Sequence, residues 1–334
     1  MIRILVPPVP GGVADFAAIL SSRLSLATGR DVCVTSPQAG QRICEAGESV
    51  LLQYSGYGFQ KRGVPLWLLK AVAAQRNEMK SFGVFFHELY AFGPPWTSAF
   101  WLSPVQRYIA ASLAALADYR ITNRNASALW IDNRGGGNQT EVLPVFSTVG
   151  EADSPMNSNH IERRDIVVFG SSGLRTETYL RFGERLLRMA QSTRCVIHDI
   201  GMPISDARVA TILRSAMVVQ HGLLPAPAVR AVLSQSRYGV VCYPKNYAAK
   251  SSVLAAYCAF ELCPILLADT HETADGLVLN ENYLGDFSDA DSTSRRAQEI
   301  ALCARHWYQL HDISSHIGSI LQKISENEQC CDVP

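Results

Sequence analysis

Residues 238–268 read YGVVCYPKNYAAKSSVLAAYCAFELCPILLA, and the order of residue types along them decides the fold. Gly239 to Tyr243 is a short apolar run with two valines, long enough for a strand covered on both faces and too short for a helix. Pro244 stops it, and Lys245, Asn246 and Tyr247 make a polar turn. Lys250, Ser251 and Ser252 then precede the Ala- and Leu-rich run Val253 to Phe260, where serine suits a helix cap. Cys263 and Pro264 end that helix, and Ile265 to Ala268 reads as the next buried strand. This βαβ unit predicts parallel strands joined by a right-handed crossover.

The first turn of a helix holds backbone N–H groups without intrahelical partners and the positive end of the macrodipole, so it welcomes an anion. Lys250 beside two hydroxyls adds a point charge and two donors, which suits a phosphate. The plainer reading stands beside it, with the serines as caps and Lys250 as a solvated surface residue.

Outward from this unit, a chain of 334 residues exceeds one ordinary core and fits two domains of nucleotide-binding size. With 48% hydrophobic and 18% charged residues it is globular rather than disordered. Lys plus Arg equals Asp plus Glu at 30 each, so composition supplies no general attraction to nucleic acid, and any membrane contact must be local. The opening MIRILVPPVPGG reads as strand and loop rather than a leader, and no apolar run reaches the ~18 residues of a spanning helix. Cys33, Cys44, Cys195, Cys242, Cys258, Cys263, Cys303, Cys330 and Cys331 form neither a CxxC pair nor a zinc spacing. The expected compartment is a reducing cytoplasm, with peripheral contact at the inner face of a membrane left open.

Ile2 to Val6 is a strand, Pro7 to Gly12 a loop and Ala14 to Leu26 a helix. Gly11 and Gly12 let a ligand approach the backbone, although GxGxxG is absent and a dehydrogenase is disfavoured. Asp15 falls at the helix start, where a carboxylate also suits the dipole. After strands at Val32 to Thr35 and Ser49 to Gln53, the loop Tyr54 to Phe59 is dense in glycine and aromatic rings, fitting a flat ligand, a sugar ring or packing. Val64 to Arg76 is a helix, and the strand Phe82 to Phe86 delivers His87 and Glu88 to its carboxyl end. Those two could hold a sugar hydroxyl or transfer a proton, though sequence neighbours point in different directions. Ser103 to Ala117 is a helix and Tyr119 to Thr122 a strand; Val142 to Phe146 is the last strand of the first half. A polar linker spans Ser147 to Arg164. Strand Asp165 to Phe169, the loop Gly170 to Gly173 and a helix to Gln191 repeat the opening form, with Arg175 a candidate phosphate contact. Ser294 to Ile324 reads as largely helical.

The pieces PPVPGGVADFA, QYSGYGFQKRGVP, FFHELYAFGPPW and YPKNYAAKSSVLAAY, drawn from both halves, resemble the GT-B glycosyltransferases, particularly those related to bacterial glycosyl transferase family 4. The resemblance implies an α/β fold of two Rossmann-like domains facing across a cleft. Residues 1–150 would form the acceptor side, 160–310 the nucleotide-sugar side, and 311–334 a C-terminal helix and tail. It implies catalytic roles for His87, Asp15 and Glu88, and donor contacts from Gly11, Gly12, Gly173, Arg175, Tyr247, Lys250, Ser251 and Ser252. The implied activity is transfer of a hexose from a UDP- or GDP-sugar to a glycan, lipid-linked or small-molecule acceptor in polysaccharide biosynthesis. No cofactor is expected beyond that co-substrate, and no metal: Asp289-Ala290-Asp291 has the letters of a metal motif but lies in a polar loop far in sequence from either glycine loop. The chain departs from the family where many members carry paired glutamates, since neither Ala249 with Tyr257 nor Lys250 with Cys258 supplies them. A nucleotide-sugar epimerase and a catalytically silent nucleotide- or sugar-binding module of the same fold are the alternatives.

Overall fold

The computed structural model describes residues 1–9, 11–135, 139–152, 163–287 and 294–331. In chain order the elements are β1 (Ile2–Leu5), α1 (Gly12–Thr28), β2 (Val32–Thr35), β3 (Ser49–Ser55), α2 (Gly56–Phe59), α3 (Leu66–Gln75), β4 (Ser81–Glu88), α4 (Ser98–Leu116), β5 (Tyr119–Thr122), α5 (Asn125–Gly135) and β6 (Glu141–Val142). They continue with β7 (Asp165–Phe169), α6 (Ser172–Thr193), β8 (Ile197–Ile200), α7 (Ala210–Leu213), β9 (Val218–Gly222), α8 (Ala226–Gln235), β10 (Ser236–Cys242), α9 (Ser252–Ala259), β11 (Cys263–Leu267), α10 (Ser294–Gln309) and α11 (Ile313–Cys331). The chain divides into two compact units, Met1–Pro144 with Ile313–Pro334, and Val145–Asp312.

The first unit is built on a parallel sheet of order β2-β1-β3-β4-β5-β6. Its inner strands are apolar on both sides because helices cover both faces. Val50, Leu52, Phe82, Val84 and Phe86 pack on Leu68 and Val72 of α3 and on Ile109 and Leu113 of α4. On the opposite face Phe16 of α1 lies edge-on to Phe85, and His316 of α11 stacks on Phe85 with ring centroids 5.8 Å apart. α11 therefore belongs to the first unit's core, although it is the last element in the chain.

The second unit carries a parallel sheet of order β11-β10-β7-β8-β9, covered by the buried side chains of α6, α9 and α10. β10, α9 and β11 form the βαβ unit that the apolar runs predict, with Gly239 opposite Pro264 and Val240 opposite Ile265. A Cβ on Gly239 would sit 2.3 Å from the Tyr257 ring, so glycine is required where that ring lies flat on the strand. Gly83 plays the same part under Tyr119 in the first sheet.

Three elements differ from expectation. β3 runs through Ser55, and residues 56–59 form a helical turn rather than a loop. α4 starts at Ser98, ahead of the expected Ser103, because Pro104 lies on its exposed side, where a missing backbone hydrogen bond is open to solvent. The expected strand at 142–146 ends at Val142. The stretch 294–324 is largely helical as expected, in two helices, α10 and α11, separated by Leu310–Asp312. Residues 153–162 of the expected linker and the Asp289-Ala290-Asp291 motif lie outside the described residues.

Candidate functional site

Ligands of open parallel sheets bind at the carboxyl ends of strands where the strand order reverses. In the second unit that point lies between β7 and β10, and it gathers the loop after β7 and the segment after β10. The two are neighbours, since a Cβ on Gly170 would lie 3.1 Å from Val253 Cγ2. Ser171 caps α6, its Oγ accepting from Leu174 N at 3.3 Å, and Ser251 caps α9 in the same way from Leu254 N at 3.2 Å. Two helix amino ends of opposite sequence origin thus open at one switch point, with earlier N–H groups of each first turn left for another acceptor. Gly173 is exposed and nothing lies within 4 Å of where its Cβ would be, so the backbone there is open to a ligand.

The sequence singled out Lys250, Ser251, Ser252 and Tyr247, and the structure carries them on and just after a 3₁₀ segment, Lys245–Lys250, between β10 and α9. Lys250 is half-buried, its Nζ 5.7 Å from the Tyr247 ring centroid. Ser251 is buried and engaged as the cap, so the structural reading of that serine holds; Ser252 is partly exposed at the first helical position. Lys245, not singled out, is the more buried cation at 3% exposure. Its Nζ donates to Ala274 O at 3.3 Å, and burial lowers its pKa.

Arg175 requires a correction. It is 1% exposed, paired with Asp199, and donates through Nε to Gly170 O at 3.1 Å and through NH2 to Met202 O. Its guanidinium braces the loops after β7 and β8 from inside, rather than reaching a phosphate. Gly201 completes the brace, because a Cβ there would lie 2.2 Å from Gly170 O and 2.7 Å from Arg175 Nε. The positions Ala249, Tyr257 and Cys258 are buried, and Tyr257 OH binds within the sheet, accepting from Phe169 N at 3.1 Å. Burial raises the pKa of both Tyr257 and Cys258.

In the first unit the strand order reverses between β1 and β3, where the loops after those strands meet: a Cβ on Gly58 would touch Pro7 at 2.8 Å. Gly11 and Gly12 are exposed with nothing within 4 Å of a Cβ, and Gly11 has φ of 155°, a conformation that favours glycine. Asp15 is exposed on the first turn of α1. One turn in, Phe16 lies edge-on to the His87 ring at 5.1 Å, so His87 sits beneath the start of α1. His87 is 8% exposed and stacks on Phe85; its Nε2 is 2.7 Å from Gln53 Oε1, an acceptor that requires the proton on Nε2. Gln53 is fully buried, and its Nε2 has no hydrogen-bond partner among the described residues. That orphan amide beside His87 went unnoticed in the sequence, where one polar letter in an apolar strand carries no such sign. Glu88 is exposed and accepts from Ser55 Oγ at 3.0 Å, whereas His87 is buried against Phe85 and Gln53. Among the described residues no group of three or more His, Cys, Asp or Glu side chains is placed to hold a metal ion, and no helix is long and apolar enough to cross a membrane.

No family model matches the chain, and no curated protein matches it. Solved structures do. S. aureus TarM, in a complex with Fondaparinux, alpha-GlcNAc-glycerol and UDP, is similar at a TM-score of 0.56 and 14% identity over 83% of this chain and 55% of that one. The pneumococcal O-GlcNAc transferase GtfA, bound to UDP and GlcNAc, is similar at 0.55 and 9% over 85% and 57%. AviGT4, a glycosyltransferase involved in Avilamycin A biosynthesis, is similar at 0.51 and 12% over 98% of both chains. The chain thus spans little more than half the length of TarM and GtfA. At such identities likeness speaks to architecture alone, and the architecture is that of two Rossmann-like units of GT-B type.

Proposed function

We propose that the chain transfers a hexose from a UDP- or GDP-sugar to a glycan, lipid-linked or small-molecule acceptor, without a metal. The observation that carries this reading is the switch point of the second unit, where the amino ends of α6 and α9 open beside exposed Gly173, partly exposed Ser252 and Lys250. The leaving group is a nucleoside diphosphate, and charge develops on it as the sugar carbon gains oxocarbenium character. Helix dipoles and a lysine stabilise that charge. Asp15, exposed on α1, is the carboxylate assigned to the acceptor hydroxyl, and His87, held by Gln53, is assigned to the sugar.

Lys250→Ala tests the reading by calorimetry with UDP and GDP. Loss of a charge-assisted contact of about 1.5–3 kcal/mol weakens nucleotide binding by roughly tenfold or more. Unchanged affinity would remove Lys250 from the donor site and with it the main support for the transferase. Cytoplasmic polysaccharide biosynthesis is the setting this reading suggests.

One observation favours a silent binding module. The positions of the missing glutamates hold Ala249, Tyr257, Lys250 and Cys258, and none brings a carboxylate to the donor. Nucleotide binding without turnover across a panel of nucleotide sugars and acceptors selects that module, and turnover without any acceptor selects an epimerase.

A further inference from the structure

Every exposed Phe, Tyr and Trp among the described residues lies in the first unit, and five of the six fall between residues 92 and 108: Tyr57, then Phe92, Trp96, Phe100, Trp101 and Tyr108. Trp96 is 84% exposed, Phe92 and Trp101 are 69% and Tyr108 is 62%, so these rings present apolar area to water rather than to the core. α4 shows how the patch is built. Its inward side, with Gln106, Ile109, Ala110 and Leu113, is buried, while Trp101, Pro104 and Tyr108 recur on its outward side at helical spacing. A helix apolar on two sides is ordinarily covered on both. Between the loop after β4 and this helix lies an apolar recess of about 440 Å³, walled by Phe92, Phe100, Trp101 and Arg107.

Charge identifies the occupant. Residues 89–117 contain no Asp or Glu. The Arg107 guanidinium carbon lies 4.4 Å from the Tyr90 ring centroid and 5.8 Å from that of Phe92, among the aromatic side chains. Gln106 Nε2 donates to Arg62 O at 2.8 Å and ties the 61–63 turn to α4. Lys61 and Arg62 on that turn are exposed, and neither forms an ion pair among the described residues.

We infer that this face docks on an anionic lipid bilayer, with the rings at headgroup depth and Lys61, Arg62 and Arg107 against lipid phosphates. A second copy of the chain would bring the same cations together, whereas an anionic plane neutralises all three at once. The chain's formal net charge of zero means that this local cluster, not the whole molecule, supplies the attraction. The inference does not rest on sugar transfer.

Flotation of the full chain with vesicles of phosphatidylglycerol and phosphatidylcholine, against phosphatidylcholine alone, tests it without any nucleotide. The chain floats with the anionic vesicles, and added salt releases it. Trp96→Ala with Trp101→Ala weakens binding at least about tenfold, and Lys61→Glu with Arg62→Glu does so to a similar extent, about fivefold for each cation lost. Brominated lipid quenches the tryptophan emission of the native chain, and much less that of the Trp96/Trp101 variant. All these positions are exposed, so urea midpoints of the variants match the native one. No flotation, equal flotation with neutral vesicles, or a native dimer that the tryptophan substitutions dissociate would each overturn the inference.

Discussion

Replacing Arg175 with methionine strands the Asp199 carboxylate in the interior, where loss of one partner of a buried ion pair costs about 3–5 kcal/mol. The urea midpoint of Arg175→Met therefore falls sharply; a variant as stable as the native chain that had lost only nucleotide affinity would return Arg175 to the ligand. Gly239→Ala drives a Cβ into the Tyr257 ring, and such overpacking costs about 1–3 kcal/mol, read in the same measurement. His221 supplies a pH dependence. Burial, then the neighbouring His198, lowers its pKa below the ordinary 6.5, with Asp199 opposing. His198 joins it to Asp165, through Nδ1 to His221 Nε2 at 2.9 Å and Nε2 to Asp165 Oδ2 at 3.3 Å. The unfolded chain takes up the proton first as pH falls, so the stability of neutral His221 is full above its unfolded pKa and is lost as pH drops through the lowered folded value. Comparing urea midpoints at roughly pH 7.5 and roughly pH 5 shows a smaller drop for His221→Gln than for the native chain.

Among the elements, α9 illustrates how one feature serves two readings. Ser251 is a cap by geometry, so Ser251→Ala lowers stability by about 1 kcal/mol, and calorimetric melting registers it whether or not a phosphate binds nearby. The cap was legible because serine before an Ala-rich run has a local cause. The role of α4 was not: its 19 residues are apolar on two sides, and sequence periodicity does not say which side meets the core. Contacts from α3 and the 61–63 turn cover one side and leave Trp101 and Tyr108 outside.

For the whole chain, the return of α11 to the first unit is the feature with the largest consequence. His316 is fully buried, its Nε2 2.9 Å from Pro144 O, and its ring packs with Phe16 and Phe85. A chain ended after Asp312 uncovers the face of β4 and α1 that these rings close. Differential scanning calorimetry of that truncated chain shows the first unit's transition lost or strongly lowered, with the second unit's retained. Retention of both transitions would mean α11 is an appendage.

The α/β class and the parallel βαβ order were present in the chain as written, because strand, cap, helix and strand at 238–268 are governed by neighbours within a few residues. The glycine-bearing turns from strand to helix were legible for the same reason, although Gly12 and Gly173 fall in the first turns of α1 and α6 rather than in the loops. Which strands adjoin, that α11 closes the first core, that Arg175 turns inward, that Gln53 meets His87, and that Trp101 and Tyr108 stay on the uncovered side of α4 came from folding alone. Each of these depends on contacts between segments far apart in sequence, and burial, which sets whether a side chain serves the core or a ligand, is a property of those contacts.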